Sequence, residues 1–83
     1  MAPKKTILII DDHPLYREGL KSIIGRDDRF EVIGEAGNGR EGLQIARKLK
    51  PDLVVVDISL PDTSGIQLTR DIRSLLSEAR III

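Results

Sequence analysis

Thr6-Ile-Leu-Ile-Ile10 runs straight into Asp11-Asp12-His13-Pro14, and Asp52-Leu-Val-Val-Val-Asp57 repeats the pattern further along. Each is a short aliphatic, β-branched run of the kind that forms a strand buried on both faces, and each ends in acid. Working outward, Pro14 suits the first turn of a helix, with Asp12 or His13 just outside it. Tyr16, Leu20, Ile23 and Ile24 fall at helical spacing, and Gly25 is a natural stop. Phe30 to Ala36 is a more mixed strand, as expected nearer a sheet edge. Gly37-Asn-Gly-Arg40 makes a turn, Leu43, Ala46 and Leu49 line a second helix, and Pro51 closes it. Ile58 to Gly65 is a loop rich in turn and cap residues. Ile66, Thr69, Ile72, Leu75 and Leu76 supply the apolar face of a third helix. Arg80-Ile-Ile-Ile83 begins a fourth strand, and the sequence ends there.

The order β-α-β-α-β-α-β predicts an α/β fold: a doubly wound parallel sheet of flavodoxin-like architecture with right-handed crossovers, its last strand cut short. Eighty-three residues make one small domain. An aliphatic triplet at the end reads as a strand without its continuation, so the chain is expected to be part of a larger protein. Thirteen basic and 13 acidic side chains cancel, which argues against a non-specific nucleic-acid binder. With 41% apolar and 31% charged residues the chain should fold. Its two aromatic residues, Tyr16 and Phe30, leave the core to aliphatic side chains. No cysteine is present, which removes disulfides, zinc thiolates and thiol catalysis. The run from Thr6 to Ile10 is too short for a signal-peptide core or a membrane span, so a cytoplasmic location without membrane attachment is expected.

In a parallel sheet all carboxyl ends share one edge, and ligands bind where neighbouring strands send their helices to opposite faces. If the first and third strands are neighbours, Asp11, Asp12 and Asp57 converge. Two carboxylates ~4 Å apart repel by about 4 kcal/mol at an effective dielectric near 20. Three would therefore protonate partly or recruit a cation; a hard ion with oxygen ligands fits, and Mg²⁺ is expected because it keeps waters and accepts phosphate oxygens. A carboxylate beside that ion can attack phosphorus and form an aspartyl phosphate. Taken singly, Asp12 or Asp52 is better read as a helix cap. Three acids at two buried strand ends are better read as a site.

Asp11-Asp12-His13-Pro14-Leu15-x-Arg17-x-Gly19-Leu20, followed by Val54-Val-Val-Asp57-Ile-x-Leu60-Pro61-Asp62-x-x-Gly65, resembles the receiver domain of two-component response regulators. The Asp-Asp-His-Pro opening and Gly34-Glu-Ala-Gly-Asn-Gly39 resemble the NarL/FixJ branch, whose receivers precede a LuxR-type helix-turn-helix output domain. The resemblance spans residues 1–83 and about the first two-thirds of a receiver. It implies that Asp57 is the phosphoacceptor, that Asp12 ligates Mg²⁺ directly and Asp11 mainly through water, and that the Ser59 backbone carbonyl completes the protein ligands. The Ser59 side chain would then lie beside the phosphoryl group and tune hydrolysis, and Pro61 and Gly65 would shape the turn that presents Asp57. Leu60 stands where methionine is commoner. A complete receiver also carries a Thr or Ser after its fourth strand and a Lys after its fifth. Lys4, Lys5, Lys21, Lys48 and Lys50 stand at no strand C-terminus, so none replaces that Lys.

The implied function is a phosphorylation switch: a sensor histidine kinase donates the phosphoryl group, and an output domain outside these residues contacts DNA and controls transcription. The chain would not be an enzyme beyond an autophosphatase activity. A different reading is a non-signalling association module that has lost phosphotransfer. A nucleotide-binding α/β domain is a third, because Gly37-Asn-Gly-Arg-Glu-Gly42 spells G-x-G-x-x-G with Asp57 downstream. It sits in the second βα unit, however, and leaves Asp11 and Asp12 without a role. A phosphatase of the haloacid dehalogenase type needs a second acid where this chain has Ser59. His13, the one histidine, reads as packing beside a helix start. A bare aliphatic fourth strand at the sheet edge is expected to drive self-association.

Overall fold

The computed structural model describes residues 3–83. Seven elements alternate along the chain: β1 (Lys5–Ile10), α1 (Pro14–Ile24), β2 (Phe30–Ala36), α2 (Gly39–Leu49), β3 (Leu53–Val56), α3 (Gly65–Leu75) and β4 (Arg80–Ile82). All strand pairs are parallel, in the order β2-β1-β3-β4. The aliphatic strands β1 and β3 therefore lie in the middle, and the mixed strand β2 lies at one edge. Ile10 stands opposite Val56, so the residues that follow each strand emerge side by side.

Alternation along the strands divides the core. Leu8, Ile10, Val54 and Val56 meet Ala46 of α2 and Leu68 and Ile72 of α3 in one continuous buried cluster. Gly42 permits this approach, because a Cβ there would collide with the Ile10 side chain. The other sheet face is covered differently. Helix α1 buries none of its residues. Tyr16 and Ile23, expected on its apolar face, are exposed, and of the apolar residues expected there Leu20 and Ile24 alone are half-buried. In α3 the inward seam is Gly65, Leu68 and Ile72, while Ile66 faces solvent. Ile72 keeps its expected place and Thr69, Leu75 and Leu76 are half-buried, so only the first turn departs from the sequence reading, where Gly65 packs against the Asp57 and Ile58 backbone.

Capping residues fix the helix starts. Asn38 accepts from the Glu41 N–H at 2.8 Å, and Ser64 accepts from the Gln67 N–H at 3.1 Å. Asp62, in the loop after β3, accepts from the Gly39 and Arg40 N–H groups at 2.7 and 2.9 Å. These two bonds hold its carboxyl below the usual carboxylate range. At the amino edge of the sheet, Asp52 Oδ2 accepts from the Thr6 N–H and hydroxyl at 2.8 and 3.0 Å.

Candidate functional site

The β1–β3 pairing carries the site. Asp57 follows β3, and its N–H donates to the Ile10 carbonyl at 2.8 Å; Asp11 follows β1, and its N–H donates to the Ala36 carbonyl at 3.0 Å. Both acids are thus set by sheet hydrogen bonds rather than by loops. Asp11 is buried at 6% exposure, an environment that carboxylates seldom occupy unless paired. Its Oδ1 accepts from the His13 N–H at 2.8 Å and lies 2.6 Å from His13 Nδ1.

His13 joins the three acids instead of packing beside the helix. Its Nδ1 is 3.0 Å from Asp12 Oδ1 and 3.6 Å from Asp57 Oδ2. One ligand atom from each of Asp11, Asp12, His13 and Asp57 fits within a 4.8 Å span. The bond to Asp11, followed by the charges of Asp12 and Asp57, raises the His13 pKa above its ordinary value. Asp57 is less well served. Its Oδ1 accepts a 3.3 Å bond from the Ser59 N–H, while Oδ2 is buried without a hydrogen-bond partner among the described residues. An orphaned carboxylate oxygen beside two further carboxylates is an incomplete arrangement in a protein interior. Oxygen donors so placed suit a hard divalent ion such as Mg²⁺. Asp11, Asp12 and Asp57 are therefore brought together, and Ser59 lies at the rim, bridged in antiparallel fashion to Ser64.

The loop after Asp57 is pinned from two sides. The Gly65 N–H donates to the Ile58 carbonyl at 2.9 Å, and a Cβ on Gly65 would lie 2.6 Å from the Asp57 carbonyl oxygen. Asp62 ties the same loop to the start of α2. That bond also disposes of the dinucleotide reading: the helix N-terminus that would hold a pyrophosphate already binds a carboxylate of the chain itself. Beside the acids, an open cleft of about 720 Å³ runs between Leu15 and Tyr16 of α1 and Ile82 and Ile83 at the end of the chain.

Sequence reasoning missed a second layer. Arg17 donates through Nε to Glu35 Oε1 at 3.0 Å and through Nη1 to the Asp11 carbonyl. Lys21 Nζ holds the other Glu35 oxygen at 2.5 Å and Glu18 Oε1 at 2.6 Å. Lys21 first, then Arg17, lowers the Glu35 pKa, and Glu18 and Glu35 raise that of Lys21. The spacing of Arg17 and Lys21, four residues apart on one helix, was the available signal.

A doubly wound parallel sheet with acids clustered at the strand ends of its switch point defines a small α/β module whose chemistry resides in carboxylates. Residues 7–83 match the response regulator receiver domain, and the chain belongs to that family. It is 38% identical over 78 residues to the nitrate/nitrite response regulator protein NarL of Escherichia coli strain K12, covering 94% of this chain and 36% of that protein. A solved two-component response regulator of the LuxR family from Aurantimonas sp. SI85-9A1 superimposes with a TM-score of 0.88 at 39% identity, over 95% of this chain and 56% of that one. A complex of the histidine kinase ThkA with the response regulator protein TrrA aligns with a TM-score of 0.83 at 35% identity, over 93% of this chain and 65% of that one. The chain thus spans about two-fifths of the length of the curated relatives it matches. The flavodoxin-like fold and the NarL-type resemblance read from the sequence both hold. Among the described residues, no helix is long and apolar enough to cross a membrane.

Proposed function

We propose that these 83 residues form the N-terminal part of a receiver domain that accepts a phosphoryl group on Asp57 from a sensor histidine kinase. Control of transcription would pass through a DNA-binding output domain outside them, in the cytoplasm. The observation that carries this reading is the orphaned Asp57 Oδ2 in a cluster with Asp11 and Asp12. Asp11, Asp12, Asp57 and the Ser59 backbone carbonyl would hold Mg²⁺. When bound, that ion neutralises charge on the transferring phosphoryl group. A carboxylate oxygen of Asp57 attacks phosphorus, the P–N bond to the donor imidazole breaks, and an acyl phosphate forms while the electron pair stays on the imidazole. Backbone bonds to Ile10 of β1 and Ala36 of β2 hold the main chain of Asp57 and Asp11 in place before transfer, so little reorganisation accompanies the reaction. Asp11 and Asp12 act through the ion and do not themselves form a bond to phosphorus. The protein turns over no substrate of its own beyond slow hydrolysis of that acyl phosphate, with Ser59 at the rim.

The test is intact mass after incubation with Mg²⁺ and acetyl phosphate, beside an Asp57→Asn control. A single phosphoryl adduct on the parent that the control lacks supports the assignment. An adduct of equal yield on the control removes Asp57 from the role.

A second reading is favoured by one observation. Leu15, Tyr16, Ile58, Ile82 and Ile83 are all exposed around the cleft, with Leu15 at 88%, and apolar surface so grouped promotes association. As a self-associating module the chain would sediment as a dimer or larger at micromolar concentration, and a stable monomer would count against it.

A further inference from the structure

Helix α1 is attached to the sheet by charge as well as by the half-buried Leu20 and Ile24. It buries no residue, and its polar link to β2 is the pair of bonds from Arg17 and Lys21 to the two Glu35 oxygens. The Arg17 side chain is itself only 18% exposed. Its guanidinium does two things in different directions: Nε binds the carboxylate on β2, and Nη1 binds the main-chain carbonyl of Asp11. That carbonyl belongs to the peptide joining Asp11 to Asp12. The N–H of Asp11 is already fixed by the Ala36 carbonyl. With both polar groups of Asp11 engaged, the backbone leaves β1 in one direction, and the directions of both carboxylates follow.

We infer that Arg17 is a positioning residue for the divalent-cation site, acting through the Asp11–Asp12 peptide and itself held by Glu35. The inference rests on the cation reading of the acidic cluster. Its mechanism is geometric and not a matter of net charge, because Glu35 already neutralises the guanidinium. A lysine would not reproduce it, since one ammonium cannot reach two acceptors in a planar fork. Groups that orient metal ligands commonly contribute about 10–100-fold to metal affinity.

The experiment is a Mg²⁺ titration of the 83-residue chain followed by amide NMR, at a temperature where each variant is folded. Arg17→Ala should weaken Mg²⁺ binding by about tenfold or more. Arg17→Lys should keep α1 docked through Glu35 and yet recover only part of that loss. Glu35→Gln should weaken binding by a smaller factor, because Arg17 loses its holder but not its reach. Thr6→Val serves as the stability control: it removes a hydroxyl from Asp52 at the opposite end of the sheet, and should lower the unfolding midpoint with Mg²⁺ affinity unchanged. If Arg17→Ala cannot fold, Arg17→Lys decides. Parental affinity in a folded Arg17 variant overturns the positioning role and leaves the cation site standing. A parent that binds no Mg²⁺ overturns both.

Discussion

Strand β3 has an aspartate at each end, and the two have opposite fates. Asp52 sits before it and gives one carboxylate oxygen to two neutral donors on Thr6. Its own N–H returns a bond to the Thr6 hydroxyl at 3.0 Å. Those bonds from the Thr6 N–H and hydroxyl lower the Asp52 pKa. Asp57 sits after the same strand, has one long bond from Ser59, and leaves an oxygen buried with no hydrogen bond among the described residues, beside two more acids and with His13 Nδ1 no nearer than 3.6 Å. Residue type and strand are the same, and only the partners differ. A strand end that is satisfied holds a sheet together; one that is left in deficit can take a ligand.

Five substitutions should break or sharpen that contrast. The largest effect is expected from Gly65→Ala, because its Cβ would press on the Asp57 carbonyl and Ile58 backbone, neither of which can yield. Overpacking of this kind costs about 1–3 kcal/mol, to be read from urea unfolding; an unchanged midpoint would show that the site end of β3 is loosely held. Next, Asp57→Asn should stabilise the metal-free chain by about 1 kcal/mol, as one of three mutually repelling carboxylates is removed. Asp52→Asn should move the midpoint the other way. Shifts of the same sign in both variants would dissolve the contrast between the two ends.

The remaining two are pH effects. The Asp52 pKa is depressed, so its stabilisation is present above the unfolded value near 3.9 and is lost as pH falls through the lower folded value. Acid unfolding of Thr6→Val should therefore begin at higher pH than in the parent. The smallest effect comes from exposed His13. Its pKa is raised mainly by Asp11, so its contribution is complete below about 6.5 and disappears as pH rises through the folded value. Metal-free stability should decline slightly as pH rises past about 6.5, and Asp11→Asn should flatten that slope. A slope unaltered in that variant would locate the titration elsewhere.

The two strand ends also differed in how plainly the sequence displayed them. Asp11, Asp12 and Asp57 could be placed together because aliphatic runs mark central strands and parallel topology aligns their carboxyl ends. Nothing in the local sequence says that Asp52 meets Thr6, since that contact joins residues 46 apart. Asp62 was legible as a turn residue but not as the cap of a helix that precedes it, for the same reason. Helix α1 misled in part: Tyr16 and Ile23 satisfy helical spacing but are exposed, while Leu20 and Ile24 are half-buried and Arg17 and Lys21 reach Glu35. Periodicity reports where apolar side chains recur; it does not report which face a charged network will hold against a sheet. In α3, Leu68 was passed over in favour of Ile66 because both flank the same helical face, and only the contact at Gly65 decides between them.

The sheet order β2-β1-β3-β4 has a consequence for how the molecule comes into being. Strand β1 is translated first, yet it occupies the interior of the sheet. Pairing with β2 can begin once residues through Ala36 exist, but the other edge of β1 waits for Val56. Closing so long a loop makes that second pairing the slower event. During synthesis the oldest strand is thus half-finished, its aliphatic edge open, until the chain has grown by nearly fifty more residues.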